Sequence, residues 1–311
     1  MTNKKPLISI IISAYNSENK IEKCLNSLLN QTYNPIEIIA VDDGSTDKTK
    51  EIIKKFIDNK KVFLLEQKRQ GPGAAKNIAS KKAKGSILVF VDSDEYPRQD
   101  YIEKLTKPIR EGKYKTSIGA WVLAYPKNPW ARCRFEDTSE LRYHAMKSGV
   151  FRAIKKDFFN HLGGFNASKG YSDDRIQNNA KRARINDAIF DHDTDSNLNE
   201  LYKKRKWIGS SIMTNPKSAK FWSKTILGFI LFGFFIASFW ISLWLTFAIL
   251  IIGILPILYQ SLKKVIFYRD IRLFFYYPIY VLVTSFGMVI GFLRPVYKND
   301  LKVIPSRAQA R

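Results

Sequence analysis

Residues 7–13 read LISIIIS, a run in which hydrophobic side chains stand at nearly every position instead of every second one. Such a run is typical of a parallel strand that helices cover on both faces. Similar runs follow at Ile36–Val41, Val62–Leu65 and Ile87–Val91. The chain therefore predicts a sheet whose first strands run parallel to one another.

Segments with helical periodicity separate these predicted strands. Ile21, Leu25 and Leu28 recur at the spacing of one helix face, and Gly73–Lys84 forms a later helix that ends at Gly85. The alternation of strands and helices predicts the α/β class, an open sheet with helices on both faces. Ligands of such sheets bind beyond the carboxyl ends of the strands.

Acidic residues stand directly at two of those strand ends. Asp42 and Asp43 follow the second strand, and Asp92 and Asp94 follow the fourth. Mg²⁺ and Mn²⁺ bind oxygen ligands, commonly one or two carboxylates together with substrate phosphates. By itself the pair Asp92 and Asp94 is more typical of a solvated acidic turn, so its interpretation depends on the neighbouring segments.

Three short segments around these carboxylates suit a nucleotide ligand. Residues 13–16 (SAYN) end the first strand with Tyr15, whose ring can stack on a base. Residues 41–47 (VDDGSTD) offer carboxylates to the hydrogen-bond donors of a base or ribose. Residues 71–77 (GPGAAKN) open a helix with flexible backbone and the cation of Lys76, both of which suit phosphates.

Together these segments closely resemble the family-2 glycosyltransferases of the GT-A fold. Members carry a YN strand end, a DDGS(T)D turn, an (R/K)N helix start and a DxD strand end, in the order found here. The likeness is strong over residues 7–95 and looser to about residue 215, and Ala14 departs from it where the family usually has Pro. It implies a nucleotide-binding mixed sheet with flanking helices, and sugar transfer from a nucleotide diphosphate donor.

The resemblance also assigns roles by position. A divalent metal, Mg²⁺ or Mn²⁺, would bind Asp94, and Asp92 would contact the nucleotide or this metal. Residues 163–166 (GGFN) resemble the turn before the acceptor site. The catalytic base of inverting members then falls to Asp174, with Asp173 as the alternate, unless this segment only caps a helix. The side chains that would hold the nucleotide are Ser13, Tyr15, Asp42, Asp43, Lys76 and Asp92.

A basic and aromatic segment follows His192 at residues 201–209. Membrane-bound relatives have a similar histidine and helix near the donor diphosphate or a lipid phosphate, where cations stabilise negative charge. A surface histidine and a headgroup-facing helix are the open alternatives. Two arginines around residue 133 would suit an acceptor phosphate, or would pair with nearby acidic residues. The phosphate candidates are His192, Arg205, Lys206, Trp207, Arg132 and Arg134.

Two long uncharged runs, Thr225–Leu262 and Leu273–Leu293, occupy the C-terminal third. About 20 apolar residues span the hydrocarbon core of a bilayer, so we predict a membrane region of two to three helices at residues 225–293. As a single helix the first run would be roughly 57 Å long. A tight hairpin of two short spans fits it better, whereas the second run either crosses the membrane or lies in its interface.

The expected organisation has four parts. A catalytic domain at residues 1–215 is followed by an interfacial junction at 216–224, the membrane region, and a basic tail at 294–311. The N-terminal apolar run is too short for a signal peptide, and no small-residue cleavage site follows it. We therefore expect a multi-pass protein of the cell membrane whose catalytic domain is cytoplasmic.

Charge and cysteine content limit the classes of binding partner that the sequence favours. Lys and Arg total 51 against 28 Asp and Glu, a formal net charge of +23, which nucleic acid, anionic lipid or phosphorylated substrates could explain. Beside hydrophobic spans, anionic membrane lipids and phosphate substrates are favoured and nucleic acid is not expected. Cys24 and Cys133 form no CxxC pair, so the sequence supports neither a disulfide framework nor a zinc site.

The sequence thus predicts a metal-dependent, inverting enzyme that moves a hexose-type sugar from a nucleotide-sugar donor to a lipid-linked acceptor. That acceptor would be a polyprenyl phosphate or a lipid-carried glycan. A non-enzymatic membrane scaffold with a degenerate transferase domain is the alternative. A nucleotidyltransferase would carry a glycine- and Arg/Lys-rich loop after its first strand, where this chain has residues 14–17 (AYNS).

Overall fold

A computed structural model of the protein describes residues 5–58, 61–124, 128–133, 151–165, 181–193, 197–212 and 243–293. The chain forms two compact units. The first, here called the sheet unit, comprises residues 1–125, 139–194 and 298–311, and the second, the helical unit, comprises residues 126–138 and 195–297. The boundaries expected between catalytic domain, junction, membrane region and tail stay a prediction.

Strands and short helices alternate through the sheet unit. In chain order the strands are β1 (Ile8–Ala14), β2 (Ile36–Asp42), β3 (Val62–Glu66), β4 (Ile87–Asp92), β5 (Glu95–Pro97), β6 (Thr116–Leu123), β7 (Ala153–Lys155) and β8 (Arg182–His192). The helices are α1 (Ile21–Leu29), α2 (Thr49–Lys54), α3 (Pro72–Lys82), α4 (Tyr101–Arg110), α5 (Pro129–Cys133), α6 (Lys156–His161), α7 (Leu198–Ile212), α8 (Leu243–Tyr268) and α9 (Leu273–Leu293). Of these, α5, α7, α8 and α9 belong to the helical unit.

Among the described residues, eight strands form one sheet in the order β3-β2-β1-β4-β7-β6-β8-β5. β1 pairs in parallel with β2 and β4, and β2 pairs in parallel with β3, as the apolar runs predicted. β7 is antiparallel to β4 and β6, and β5 is antiparallel to β8. This mixed sheet with flanking helices confirms the predicted fold class.

Both faces of β1 are buried, which explains its nearly unbroken run of hydrophobic side chains. Ile10 and Ile12 belong to a core that also contains Leu25 of α1. Ile11 belongs to a second core, together with Ala75 of α3. A strand that is covered on both faces needs an apolar side chain at almost every position.

Within the described residues, two helices are long and apolar enough to cross a membrane, with candidate spans at Leu250–Tyr268 in α8 and Leu273–Gly291 in α9. α9 has the bounds of the second uncharged run. α8 begins inside the first run and continues past its end, through Lys263 and Lys264. Residues 225–242, which would supply the first arm of the predicted hairpin, lie outside the described part of the chain.

Candidate active site

The carboxyl ends of β1, β2 and β4 lie side by side because the three strands are parallel. Ser13 of β1 pairs in register with Val41 of β2 on one side and with Asp92 of β4 on the other. Ala14 pairs with Asp42. The structure thus brings predicted nucleotide residues from separate segments to one edge of the sheet, the edge at which open α/β sheets bind ligands.

Asp43 holds the loop between β3 and α3. Its Oδ1 accepts hydrogen bonds from the Gln67 side chain (2.6 Å) and the Gln70 backbone N–H (2.8 Å), and its Oδ2 accepts one from the Gly71 N–H (2.9 Å). Burial raises the pKa of Asp43, although these hydrogen bonds act in the opposite direction. A carboxylate has about four lone-pair directions, so within the described residues one acceptor position is left for a ligand.

Tyr15 and Asp42 border the same edge. The guanidinium carbon of Arg69 lies 3.9 Å from the ring centroid of Tyr15, and Arg69 Nη1 donates a hydrogen bond to the Tyr15 hydroxyl at 2.9 Å. Arg69 therefore covers one face of the ring on which a base is expected to stack. The buried Oδ1 of Asp42 has no hydrogen-bond partner among the described residues, and a ligand donor or an ordered water would satisfy it.

Asp92 is held between two cations. Lys76 Nζ lies 2.8 Å from Asp92 Oδ1, and Arg152 Nη1 lies 3.2 Å from Oδ2. Arg152 also pairs with Glu95 through its other terminal nitrogen. Burial opposes ionisation of Asp92, but the two cations outweigh it and hold the pKa of this carboxyl well below its usual value. Burial raises the pKa of Glu95 to about 8, against the opposing effect of Arg152.

This ion-pair cluster of Lys76, Asp92, Arg152 and Glu95 fixes the end of β4. Lys76 is predicted to contact a diphosphate, yet its side chain is almost fully buried and its ammonium group donates a hydrogen bond to Asp92. Both oxygens of Asp92 are engaged by cations, which would compete with a metal for this carboxylate. The roles that the sequence assigns to these two residues stay predictions.

Asp94 lies two residues further along. Its side chain is 24% exposed, and its Oδ1 lies 4.0 Å from Nδ1 of His192. The antiparallel pairing of β5 with β8 places Glu95 in register with His192. His192 packs edge-on against Trp121, with ring centroids 5.4 Å apart, which fixes the imidazole. Sheet pairing therefore joins two predicted site residues that are far apart in sequence.

Asp94 and His192 suit a divalent cation. Ligand atoms about 2.1 Å from an octahedral ion lie about 3.0 Å apart when neighbouring and about 4.2 Å apart when opposite. The 4.0 Å between Asp94 Oδ1 and His192 Nδ1 lies between these values, so a small side-chain movement would bring both atoms onto one ion. Within the described ranges, no group of three or more His, Cys, Asp or Glu side chains is arranged to hold a metal. The remaining ligands of such an ion would be phosphate oxygens and water, as is usual for Mg²⁺.

Several predicted phosphate contacts lie in the helical unit and have protein partners there. Arg132 Nη1 lies 2.8 Å from Asp270 Oδ2. Arg205 Nη2 donates a hydrogen bond to the Tyr280 hydroxyl at 2.9 Å. For Arg132 the pairing alternative is the one observed, although the partner is Asp270 and not an acidic residue close in sequence. The predicted contacts on α7 are Arg205, Lys206 and Trp207.

Three predicted residues lie outside the described part of the chain: the catalytic base Asp174, its alternate Asp173, and Arg134. Sequence reasoning also missed two residues that shape the site. Arg69 directly follows Lys68 in a loop without a motif, and Arg152 stands far from Asp92 in sequence. No local pattern could have paired either of them with its partner.

Comparisons with known proteins identify the fold and the family. The fold resembles that of mannosyltransferase PcManGT from Pyrobaculum calidifontis in complex with GDP-Man and Mn²⁺. The TM-score is 0.58 over 92% of this chain and 88% of that one, at 17% sequence identity. The fold is therefore of the GT-A glycosyltransferase type. Residues 9–167, just over half of the chain, match the model of glycosyl transferase family 2, and the chain belongs to that family.

Two relatives match part of the chain at higher identity. Glycosyltransferase GlyA from Streptococcus pneumoniae serotype 4 is 42% identical over 113 residues, which are 36% of this chain and 16% of that protein. Glycosyltransferase AglE from Haloferax volcanii is 35% identical over 147 residues, which are 46% of this chain and 48% of that protein. The match therefore spans less than half the length of each relative.

Proposed function

We propose that the protein transfers a hexose-type sugar from a nucleotide diphosphate donor to a lipid-linked acceptor at the cytoplasmic face of a membrane. The acceptor would be a polyprenyl phosphate or a lipid-carried glycan, and the transfer would use Mg²⁺ or Mn²⁺ and invert the anomeric carbon. The observation that carries the proposal is the meeting of Ser13, Asp42 and Asp92 at parallel strand ends, with Asp94 beside His192.

The strand ends offer each part of a nucleotide a suitable partner. Tyr15 and Arg69 provide a stacked planar surface for a base. Asp43 keeps one acceptor position for a donor of the base or ribose. The likeness to a mannosyltransferase in complex with GDP-Man and Mn²⁺ supports a nucleotide-sugar donor and a divalent metal.

Asp94 and His192 would hold the metal, which supplies positive charge to a departing diphosphate. The imidazole of His192 favours Mn²⁺ over Mg²⁺, because Mg²⁺ prefers oxygen ligands. Lys76 and Arg152 balance the charge of Asp92. An anionic diphosphate at the strand ends therefore meets less repulsion from that carboxylate than an unpaired aspartate would exert.

The acceptor decides how much proton transfer is required. The second pKa of a phosphate monoester is about 6, so a lipid phosphate is already ionised near neutral pH and Asp174 would only position it. A sugar hydroxyl would instead give its proton to Asp174 while its oxygen bonds to the anomeric carbon and the bond from that carbon to the diphosphate breaks, which releases the nucleoside diphosphate. Asp174→Asn should therefore abolish transfer to a glycan and only weaken transfer to a lipid phosphate. Equal loss with both acceptors would contradict this distinction.

The helical unit supports a membrane location. Large hydrophobic side chains along the two candidate spans are exposed, for example Ile252, which is what a lipid-facing surface requires. Lys263, Lys264, Arg269 and Arg272 follow the apolar part of α8. Basic residues beside a span prefer the cytoplasm, so this end of α8 is assigned to the cytoplasmic side of a multi-pass protein.

A donor screen tests the proposal. The full chain, in membranes that supply the acceptor, is incubated with UDP- and GDP-sugars and either Mn²⁺ or Mg²⁺, and release of the nucleoside diphosphate is measured. We expect metal-dependent release from one donor, lost in Asp94→Asn and retained in Asp187→Asn, which changes an exposed carboxylate of the same unit. Absence of release from every donor with either metal would contradict the proposal and favour a membrane scaffold.

A further inference from the structure

We propose that α9 does not cross the bilayer but lies in the plane of its cytoplasmic leaflet, with one apolar face in lipid and with α5 and α7 packed on its other side. The inference rests on the proposed membrane location of the helical unit. It identifies the partner of the exposed face of α9 as a lipid surface. The side of the membrane that α5 and α7 occupy decides where α9 can lie.

α5 packs against the amino-terminal end of α9. The ring centroids of Trp130 and Tyr276 lie 4.5 Å apart. Arg132 pairs with Asp270 in the turn that precedes α9. Cys133 is buried in the same hydrophobic cluster as Leu273 and Tyr280 of α9. These contacts tie α5 to the first turns of the apolar helix.

α7 packs against the other half of α9 through glycines. Gly287 and Gly291 are four residues apart, the spacing at which apolar helices approach another helix closely. A Cβ atom at Gly287 would lie 3.1 Å from Arg205 Cβ, and one at Gly291 would collide with the backbone of Lys206. A Cβ atom at Gly209 of α7 would likewise collide with the α9 backbone, at 2.3 Å from the Met288 carbonyl oxygen. The usual dimerisation surface of a spanning helix is therefore already occupied by α7.

This contact places basic side chains along the apolar helix. Arg205 reaches back to the Tyr280 hydroxyl at 2.9 Å, and Lys203, Lys204 and Lys206 stand on the same turns of α7. Charged groups in the hydrocarbon core are costly, and long basic side chains seek the headgroup level. The half of α9 that α7 covers therefore lies near a membrane surface over its length, and not only at its last turn.

The covalent chain keeps α5 and α7 on one side of a bilayer. Residues 124–128 (AYPKN) join β6 to α5, residues 134–152 carry charges of both signs and return to β7, and residues 193–197 (DTDSN) join β8 to α7. None of these segments contains the about 20 apolar residues that a crossing needs. A spanning α9 would separate its ends by the whole hydrocarbon core, about 30 Å. Because α5 and α7 hold its two halves, α9 stays on their side.

The exposed side of α9 suits lipid along its whole length. No charged residue interrupts the sequence from Leu273 to Leu293. The exposed hydrophobic side chains recur every three or four residues, as on one face of a helix: Phe275, Ile279, Leu282, Phe286 and Val289. Such a face can lie against the acyl chains of one leaflet while α5 and α7 cover the other side of the helix.

Depth measurement along this stripe tests the proposal. Phe275, Leu282 and Val289 are replaced one at a time by a spin-labelled cysteine in the full chain, reconstituted in vesicles of phosphatidylcholine and phosphatidylglycerol. Depth is read from collisions with oxygen and with a water-soluble nickel complex. We expect similar, shallow depths at the three positions. A maximum at Leu282 with shallower values at both ends is the profile of a spanning helix and would overturn the proposal.

The native cysteines should add little background labelling to this measurement. Cys24 and Cys133 are both buried. Burial raises the pKa of the Cys133 thiol to about 12, so little of it is the reactive thiolate. The unsubstituted chain, treated with the same label, measures the background that is subtracted.

The side of the membrane from which added cysteines react provides a second test. This test remains valid if a substitution distorts α9 locally. Arg272→Cys, a cysteine added after Arg311, and Lys113→Cys in the sheet unit are treated with an impermeant maleimide in intact cells and in inverted vesicles. All three should react from the cytoplasmic side, and a terminal cysteine that reacts only from the opposite side would overturn the proposal. Loss of the chain from carbonate-washed membranes would overturn it as well. If the depths and the labelling are as expected but the protein transfers no sugar, only the proposed function is contradicted.

Discussion

The two ends of the Asp92-Ser93-Asp94 turn meet different environments. Asp92 lies between Lys76 and Arg152, which outweigh the effect of burial and hold its pKa low. Asp94 is partly exposed and lies near His192. Two carboxylates that a sequence motif presents as equivalent therefore differ in task. The first ties β4 to its neighbours, and the second is the one that we propose to bind a metal.

The two environments predict which property each substitution should change. Removing one partner of a buried ion pair leaves an uncompensated charge and is strongly destabilising. Asp94 lies outside that ion-pair cluster, so its substitution should affect folding less. The account therefore predicts losses of stability around Asp92 and losses of metal and donor binding around Asp94.

The largest effect is expected for Arg152→Met. It removes the cation shared by Asp92 and Glu95 and should lower the free energy of unfolding by about 3–5 kcal/mol. Thermal unfolding of the purified protein in detergent measures the change. Arg98→Met is the matched control, since Arg98 is half exposed and its pair with Asp191 should contribute about 1 kcal/mol or less. Equal midpoints for the two variants would contradict a stabilising role for the ion pairs of Arg152.

A smaller effect is expected for His192→Ala. Loss of the imidazole beside Asp94 should raise the Mn²⁺ concentration for half-maximal activity at least about tenfold, with the unfolding midpoint nearly unchanged. His161→Ala, on an exposed position of α6, should leave both quantities as they are. A His192 variant with normal Mn²⁺ dependence would show that the 4.0 Å approach to Asp94 has no part in metal binding.

The smallest effect is expected for Arg69→Met. Arg69 orients the Tyr15 ring by stacking and by a hydrogen bond, and such a contact contributes about 0.5–1 kcal/mol at an exposed site. The KM for the donor should therefore rise about two- to fivefold while kcat changes little. Lys68→Met, at the neighbouring exposed position, serves as the control. A drop in kcat at constant KM would contradict a role in holding the base.

The sheet was predictable because burial on both faces leaves a direct mark on sequence. Ile10 and Ile11 pack into different cores, so neighbouring positions of β1 must both be apolar and the strand stands out as an uninterrupted run. The parallel order of β3, β2, β1 and β4 follows from the helices between them. The second uncharged run likewise has the same bounds as α9. Such a run reports only the length and the apolar character of a segment, so it left open whether the helix crosses a membrane.

The candidate site was predictable only in outline. Strand ends locate Asp42 and Asp92 because each directly follows an apolar run, and Asp94 stands two residues further on. The partner of Asp92 could not be read in the same way, since Arg152 reaches it through the antiparallel pairing of β4 with β7. The approach of His192 to Asp94 depends on the pairing of β5 with β8. Contacts set by strand register leave no pattern in a single sequence.

Mn²⁺ binding tests the central claim, that Asp94 helps to hold a divalent metal at the strand ends. The full chain in detergent is titrated with Mn²⁺ in the presence of GDP or UDP, and the electron paramagnetic resonance signal of free Mn²⁺ is recorded. The account predicts binding by the natural protein and by Asp187→Asn, and binding at least about tenfold weaker in Asp94→Asn. Equal binding by Asp94→Asn, or none by the natural protein with either nucleotide, would contradict it.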